Sequence, residues 1–138
     1  MEEDPEASQQ AQSQSFPLTD DAITSYQTKK WFHKCSIITT LTSFITKNTS
    51  YTIDNYTLLS TFISLCLNDS NINVNIAILT FLSTFTPLEC NSIQFKEMLT
   101  QNMLVIVSKY KEKKEKLTEQ VNTLLTLILK YTMTINTN

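Results

Sequence analysis

The side chains best suited to chemistry in this chain are concentrated in three short polar stretches that separate longer apolar runs. The stretches are Lys29-Lys30-Trp31, Asn68-Asp69-Ser70-Asn71 and Lys109-Tyr110-Lys111-Glu112-Lys113-Lys114. A surface tryptophan is a frequent binding hot spot, and clustered lysines attract an acidic partner. Asp and Asn side chains favour turns and helix starts. These residue types therefore indicate binding rather than bond-making chemistry.

Residues that usually act as catalysts or metal ligands are few and scattered. His33 is the single histidine and follows apolar Phe32, which favours a structural role. The three cysteines, Cys35, Cys66 and Cys90, form no CxxC pattern and have no His or Asp context. Acidic residues beyond the N-terminal region form no pair or cluster. We therefore expect no enzyme activity, no metal and no cofactor.

The composition divides the chain into an acidic beginning and a basic remainder. All six charged residues at positions 1–21 are acidic, which leaves seven acidic residues against eleven lysines, about +4, in the remainder. The chain of 138 residues contains no glycine, which argues against glycine-rich phosphate loops. It shows no signal-peptide pattern and no apolar run of the ~18 residues that span a membrane. We expect a cytosolic protein with reduced, mostly buried thiols.

The polarity of the N-terminal region sets the predicted domain boundary. Residues 1–16 are rich in Gln, Ser and acidic side chains and hold too little apolar surface to fold, so they are predicted to form a disordered tail. Order is predicted to begin near Phe16. Residues 17–138 are predicted to form one domain, because a chain of this length rarely holds more than one.

Apolar residues in the remainder recur with the spacing of α-helices. The clearest stripe is Val74, Ala77, Ile78, Phe81, Leu82 and Phe85. The predicted helices span residues 18–28, 31–47, 54–67, 72–86, 92–108 and 114–131. Pro87 is expected just past the fourth helix, and Ser70 or Asn71 is expected to cap its start. The predicted class is all-α, although the many Thr, Ile and Val residues favour strands by propensity.

The six predicted helices pair into three hairpins, and the polar stretches recur about 40 residues apart, a period typical of HEAT repeats. The predicted architecture is an α-solenoid of about three HEAT-like hairpins. In such a stack, corners of one kind lie along one edge. We call this edge, formed by residues 29–34, 68–71 and 109–114, the corner edge.

Residues on the corner edge resemble those of TOG domains, the HEAT-repeat modules of the ch-TOG and Mini spindles microtubule polymerases and, in variant form, of the CLASP proteins. The resemblance covers roughly residues 17–132 and consists of a Lys/Trp corner, a D-x-N corner at Asp69-Ser70-Asn71, and a corner similar to "F-K-E-K-K". It differs from the family pattern in two ways. Phe32 and His33 follow the tryptophan, where polar or basic residues are usual, and only three of the usual six repeats are present.

The resemblance implies a function in microtubule assembly or spindle organisation, through binding of αβ-tubulin. It implies that Trp31 packs on β-tubulin and that the lysines of the third corner face acidic surface. The tubulin-binding residues implied are Lys29, Lys30, Trp31, Lys34, Asp69, Asn71, Lys109, Lys111, Lys113 and Lys114. The implied location is the cytoplasm, on microtubules, the spindle or a spindle pole. A microtubule polymerase role and a CLASP-like role both fit.

Other interpretations of the same residues stay open. Trp31 could seal the first hairpin, and the Asx residues could serve only as turn and cap. The chain could be a generic HEAT adaptor whose partner binds the open face of the last helix, near Leu124, Leu125 and Ile128. Nucleic acid would suit a lysine-rich edge, but it is less favoured because arginine is absent and the charge is modest. The sequence fixes neither the oligomeric state nor whether the natural chain continues.

Overall fold

A computed structural model describes residues 15–133, and every regular element among them is helical. The α-helices are α1 (Asp20–Thr24), α2 (Trp31–Lys47), α3 (Tyr56–Leu67), α4 (Ile72–Glu89), α5 (Ile93–Ser108) and α6 (Glu115–Ile128). Two 3-10 segments, Tyr26–Thr28 and Lys109–Glu112, follow α1 and α5, and a π-helical turn, Leu129–Met133, follows α6. The all-α class predicted from the sequence is confirmed. The predicted tail of residues 1–16 lies almost wholly outside the described residues.

Polar caps begin most of these helices close to the predicted positions. Asn55, Asn71 and Ser92 accept hydrogen bonds from the backbone N–H groups of Leu58, Asn73 and Phe95, at 3.0, 2.8 and 3.2 Å. Each cap satisfies a first-turn N–H group that has no partner within its own helix. Asn71, rather than Ser70, caps α4. The helix α2 has the bounds predicted for it, 31–47.

The predicted end of α4 at residue 86 is wrong, because α4 continues to Glu89 with Pro87 inside its last turn. The proline lacks the N–H group that would bond to the carbonyl of Ser83. A contact between helices offsets this loss, since the Tyr56 hydroxyl donates to Glu89 Oε1 at 3.0 Å. Burial raises the pKa of the Glu89 carboxyl, although the bond from Tyr56 opposes that rise. This contact holds the final turn of α4 against the start of α3.

The helices pack on their next-but-one neighbours along the chain. The helix α4 lies between α2 and α6, whereas α3 contacts α1 on one side and α5 on the other. The two sets meet where α3 packs on α4.

A core of aromatic and aliphatic side chains lies between the two sets of helices. Phe62 of α3 and Phe81 of α4 are fully buried. The ring of Phe85 stacks on Phe81 at 5.1 Å and meets Phe95 of α5 edge to face at 5.4 Å. Burial of each ring contributes roughly 1.5–3 kcal/mol relative to exposure. At the other end, Phe16 packs against Phe44 and Tyr51.

The C-terminal part exposes a different apolar face from the one predicted. Leu124 is fully buried, and Leu125 and Ile128 are half-buried against the core. The most exposed apolar side chains lie instead on α5, where Ile93 is 72% and Leu104 is 86% exposed. These two residues are eleven positions apart, about three helical turns, and therefore share one face of α5.

Candidate interaction edge

Three consecutive rings lie exposed at the first corner, where α2 begins. Trp31 is 45% exposed and Phe32 is 48% exposed. The Phe32 ring meets Trp31 at 5.8 Å and His33 at 4.6 Å, both edge to face. We call these residues, Trp31, Phe32 and His33, the aromatic patch. Lys30 stands at the N-cap position, where its side chain makes no capping bond.

Lys34 departs from its neighbours because its side chain turns into the protein. It is only 8% exposed, and its ammonium forms an ion pair with Asp69 Oδ2 at 2.8 Å. The same ammonium lies 4.2 Å above the centre of the Tyr26 ring. A cation held over an aromatic face gains further electrostatic stabilisation. Lys34 was predicted to bind a partner, but its burial indicates a structural role between the first and second corners.

Asp69 is the centre of the hydrogen bonds at the second corner. Its side chain is 7% exposed. Besides Lys34, the carboxylate accepts bonds from the Tyr26 hydroxyl at 2.7 Å and from the backbone N–H of Asn71 at 2.8 Å. Burial alone would raise the pKa of Asp69, but these bonds outweigh burial and hold the pKa below its ordinary value. Asp69 is therefore a charged anchor for two corners rather than an exposed contact.

Asn75 completes the second corner and was missed in the sequence analysis. It is buried, and its side-chain amide donates to the carbonyls of Cys66 at 2.9 Å and Asp69 at 3.0 Å. These carbonyls lie at and just beyond the C-terminal end of α3, where backbone C=O groups have no partner later in the helix. The position of Asn75 within its helix was the one indication of this role in the sequence. Lys34 and Asn75 are each the fourth residue of their helices, α2 and α4, and both bind Asp69.

The third corner combines one buried lysine with several exposed ones. Lys109 is 9% exposed, and burial lowers its pKa, although the charges of Glu112 and Asp69 oppose the change. Among residues 15–133, no carboxylate forms an ion pair with it. Lys113 has a left-handed backbone, with φ at 54° and ψ at 37°. That conformation costs a non-glycine residue roughly 1–2 kcal/mol.

The predicted site residues form two groups in the structure. Lys30, Trp31, Lys111, Lys113 and Lys114 are exposed, and Lys29 and Asn71 are half-buried. Lys34, Asp69 and Lys109 are buried, and the charge of Asp69 acts on both lysines. Asp69 thus joins the first and second corners through its ion pair with Lys34. The corner edge, residues 29–34, 68–71 and 109–114, holds seven lysines and two acidic residues, so the edge is strongly basic.

Reactive groups near the edge are held in their neutral forms. Burial raises the pKa of the Cys66 thiol to about 12, against the opposing effects of a hydrogen bond from Tyr26 and the charge of Lys34. Burial also raises the pKa of the Tyr26 hydroxyl, and its bond to Asp69 adds to that rise. Both groups stay protonated near neutral pH, and a protonated thiol is a poor nucleophile. The arrangement favours binding chemistry.

The cysteines and acidic side chains give no further site in the described part of the chain. All three cysteines are free, but only Cys66 is buried, while Cys35 and Cys90 are half-buried. The prediction of mostly buried thiols is therefore wrong. Across residues 15–133, no three His, Cys, Asp or Glu side chains are grouped to hold a metal ion. None of the helices described here is long and apolar enough to cross a membrane.

Comparisons with protein-family models, curated proteins and solved structures gave no match.

Proposed function

We propose that this chain is a non-catalytic, tubulin-binding module built as a solenoid of three HEAT-like hairpins and similar to the first half of a TOG domain. The next-but-one packing of its helices supports the solenoid. So does the paired placement of Lys34 and Asn75, about one 40-residue repeat apart and both bonded to Asp69. A role in microtubule assembly or spindle organisation, in the cytoplasm, follows from the resemblance.

The exposure of Trp31 is the observation that carries this proposal. Trp31 is 45% exposed, so almost half of this side chain is open to a partner even where the rest packs against the first hairpin. It lies beside Lys29 and Lys30, on an edge that continues to the lysines of the third corner. An apolar anchor flanked by cations suits an acidic partner with an apolar pocket.

We divide the residues of the proposed site between two tasks. Exposed residues, with Trp31 at the first corner and Lys113 at the third, would contact the partner directly. Buried Lys34, Asp69 and Lys109 would instead keep the corners in register. Such a prearranged edge loses little conformational entropy when it binds.

Co-migration with unpolymerised αβ-tubulin on size exclusion at low salt tests the proposal. We expect a complex with the wild type and its loss when Trp31→Ala is combined with Lys113→Glu. Trp31→Ala alone should weaken binding by about 2 kcal/mol or more, roughly thirtyfold. Leu104→Ala is the control, because it removes an apolar side chain that is even more exposed, 86% against 45% for Trp31, and that lies outside the corner edge. Equal binding by Trp31→Ala and the wild type would refute the assigned role of Trp31.

A generic adaptor is the second candidate function, and the exposed face of α5 favours it. Ile93, Leu104 and Val107 are all exposed apolar residues on this helix. Exposed apolar groups at helical spacing are a common feature of protein-binding surfaces. Under this alternative, Leu104→Glu would abolish partner binding and Trp31→Ala would leave it unchanged.

A further inference from the structure

Phe32 is the least expected side chain of the aromatic patch. Successive helical residues are about 100° apart, so the three rings cover more than half of the helix circumference. Packing alone would bury at least one of them, yet Trp31, Phe32 and His33 are all exposed. Phe32 lies between the other two rings and contacts both. The patch is thus one continuous apolar surface, which a folded protein exposes at a cost.

The charges around the aromatic patch are of one sign. Lys29 and Lys30 precede it directly in the chain, and Lys30 is exposed. Asp69 is buried, and its charge is compensated by Lys34 at 2.8 Å. A ligand that approaches the patch therefore meets cations and aromatic rings together.

We infer that the aromatic patch binds an acidic peptide segment of a partner protein, one that carries an aromatic or aliphatic anchor side chain. The anchor would pack on Trp31 and Phe32, while neighbouring carboxylates would pair with Lys29 and Lys30. Complementary charge decides between partners, because a basic or neutral segment gains nothing from these lysines. This inference rests on the proposed corner-edge function and deepens it, since it names the chemistry of the bound segment and adds Phe32 to the contact residues.

The only tryptophan of the chain lies in this patch, so its fluorescence reports occupancy without a label. The probe is a short glutamate-rich peptide with one central phenylalanine, titrated at low salt. We expect saturable binding with a blue shift of Trp31 emission, because the anchor displaces water from the indole. Phe32→Ala should weaken this binding at least tenfold and leave Trp31 in place as the reporter. Leu104→Ala should bind as the wild type does.

Two further peptides and one nucleic acid separate the contribution of the anchor side chain to binding from the contribution of charge. Replacement of the phenylalanine by alanine should remove the blue shift, and replacement of the glutamates by lysine should remove binding. An equal response to the alanine peptide would overturn the inference, since charge alone would then account for binding. So would tighter binding of a single-stranded oligonucleotide, or no spectral change at peptide concentrations near a millimolar.

The outcome is separable from that of the tubulin experiment. If the peptide binds with the expected anchor dependence but tubulin does not co-migrate, the proposed tubulin function fails and the inferred peptide chemistry stands. If tubulin binds the wild type and Phe32→Ala equally well, the inference fails and the proposed function stands. Circular dichroism of Phe32→Ala should match the wild type, because Phe32 is 48% exposed and is not one of the buried core residues.

Discussion

Asp69→Asn should be among the most destabilising single substitutions that leave the size of a side chain unchanged. The carboxylate is 7% exposed and binds the Lys34 ammonium at 2.8 Å. Asparagine keeps the shape but removes the charge, so the buried ammonium loses its partner. Breaking a buried pair in this way costs about 3–5 kcal/mol. A domain of this size is stable by about 5–15 kcal/mol, so the loss is a large share of the total.

Urea unfolding at neutral pH, followed by far-UV circular dichroism, measures this loss as a change in the free energy of unfolding. Asp54→Asn is the matched control, because it makes the same chemical change at an exposed position and should stay within about 0.5 kcal/mol of the wild type. Adding Lys34→Met to Asp69→Asn should recover much of the stability, because it removes the uncompensated charge. If Asp69→Asn resembles Asp54→Asn, or if Lys34→Met gives no recovery, the reasoning fails.

The same carboxylate predicts how stability depends on pH. The pKa of Asp69 is lower in the folded protein than its ordinary value of 3.8. Its contribution is therefore complete above pH 3.8 and is lost as pH falls through the lowered pKa. Glu89 acts oppositely, because its raised pKa favours folding at low pH. Glu89 contributes equally to the wild type and to Asp69→Asn, so it drops out of the difference between their free energies of unfolding. That difference should therefore shrink only below about pH 4.

Substitutions at four further positions test other parts of the structure. Lys113→Gly should raise the free energy of unfolding by about 1 kcal/mol, because glycine tolerates the left-handed backbone, whereas Lys113→Ala should give no gain; urea unfolding checks both. Lys30→Asp should also stabilise, by about 1 kcal/mol, through a new cap on α2. The same change should weaken co-migration with tubulin. A fall in the free energy of unfolding of Lys30→Asp would contradict the prediction, even if binding is also lost. Leu104→Ala should change stability by less than about 0.5 kcal/mol, whereas Ile106→Ala should cost about 2–5 kcal/mol, as thermal or urea unfolding will show.

Apolar periodicity was enough to predict the helices. Spacing of three and four residues marks one face of each helix, and burial of that face outweighs the strand preference of Thr, Ile and Val. Local rules failed where a distant contact decides the outcome. Pro87 ends no helix, because Tyr56 holds the last turn of α4 through Glu89. No rule confined to the residues near Pro87 contains that bond.

The candidate site shows the same division between local and distant causes. The sequence left open whether Trp31 contacts a partner or is a partly buried aromatic that seals the first hairpin, and its 45% exposure leaves surface that a partner can contact. Lys34 and Lys109 were grouped with the tubulin-binding lysines because of the resemblance, whereas a lysine is seldom buried unless paired. The partner of Lys34, Asp69, lies 35 positions further along the chain. Only the packing of α2 against α4 brings the two together.

The corner edge contains residues with two different tasks. The buried charges of Asp69 and Lys34 stabilise the fold, whereas exposed Trp31 and Phe32 are available for binding. A buried ion pair contributes little net stability compared with apolar residues of similar size, but it strongly penalises any packing that separates the pair. Lys34 and Asp69 therefore fix how α2 sits on the second corner, and with it where Trp31 points. Trp31 and Phe32 carry no such constraint, so their substitution should change binding and leave folding intact. Some substitutions on this edge should change stability and others should change binding. That separation is what distinguishes a binding surface from an exposed part of the core.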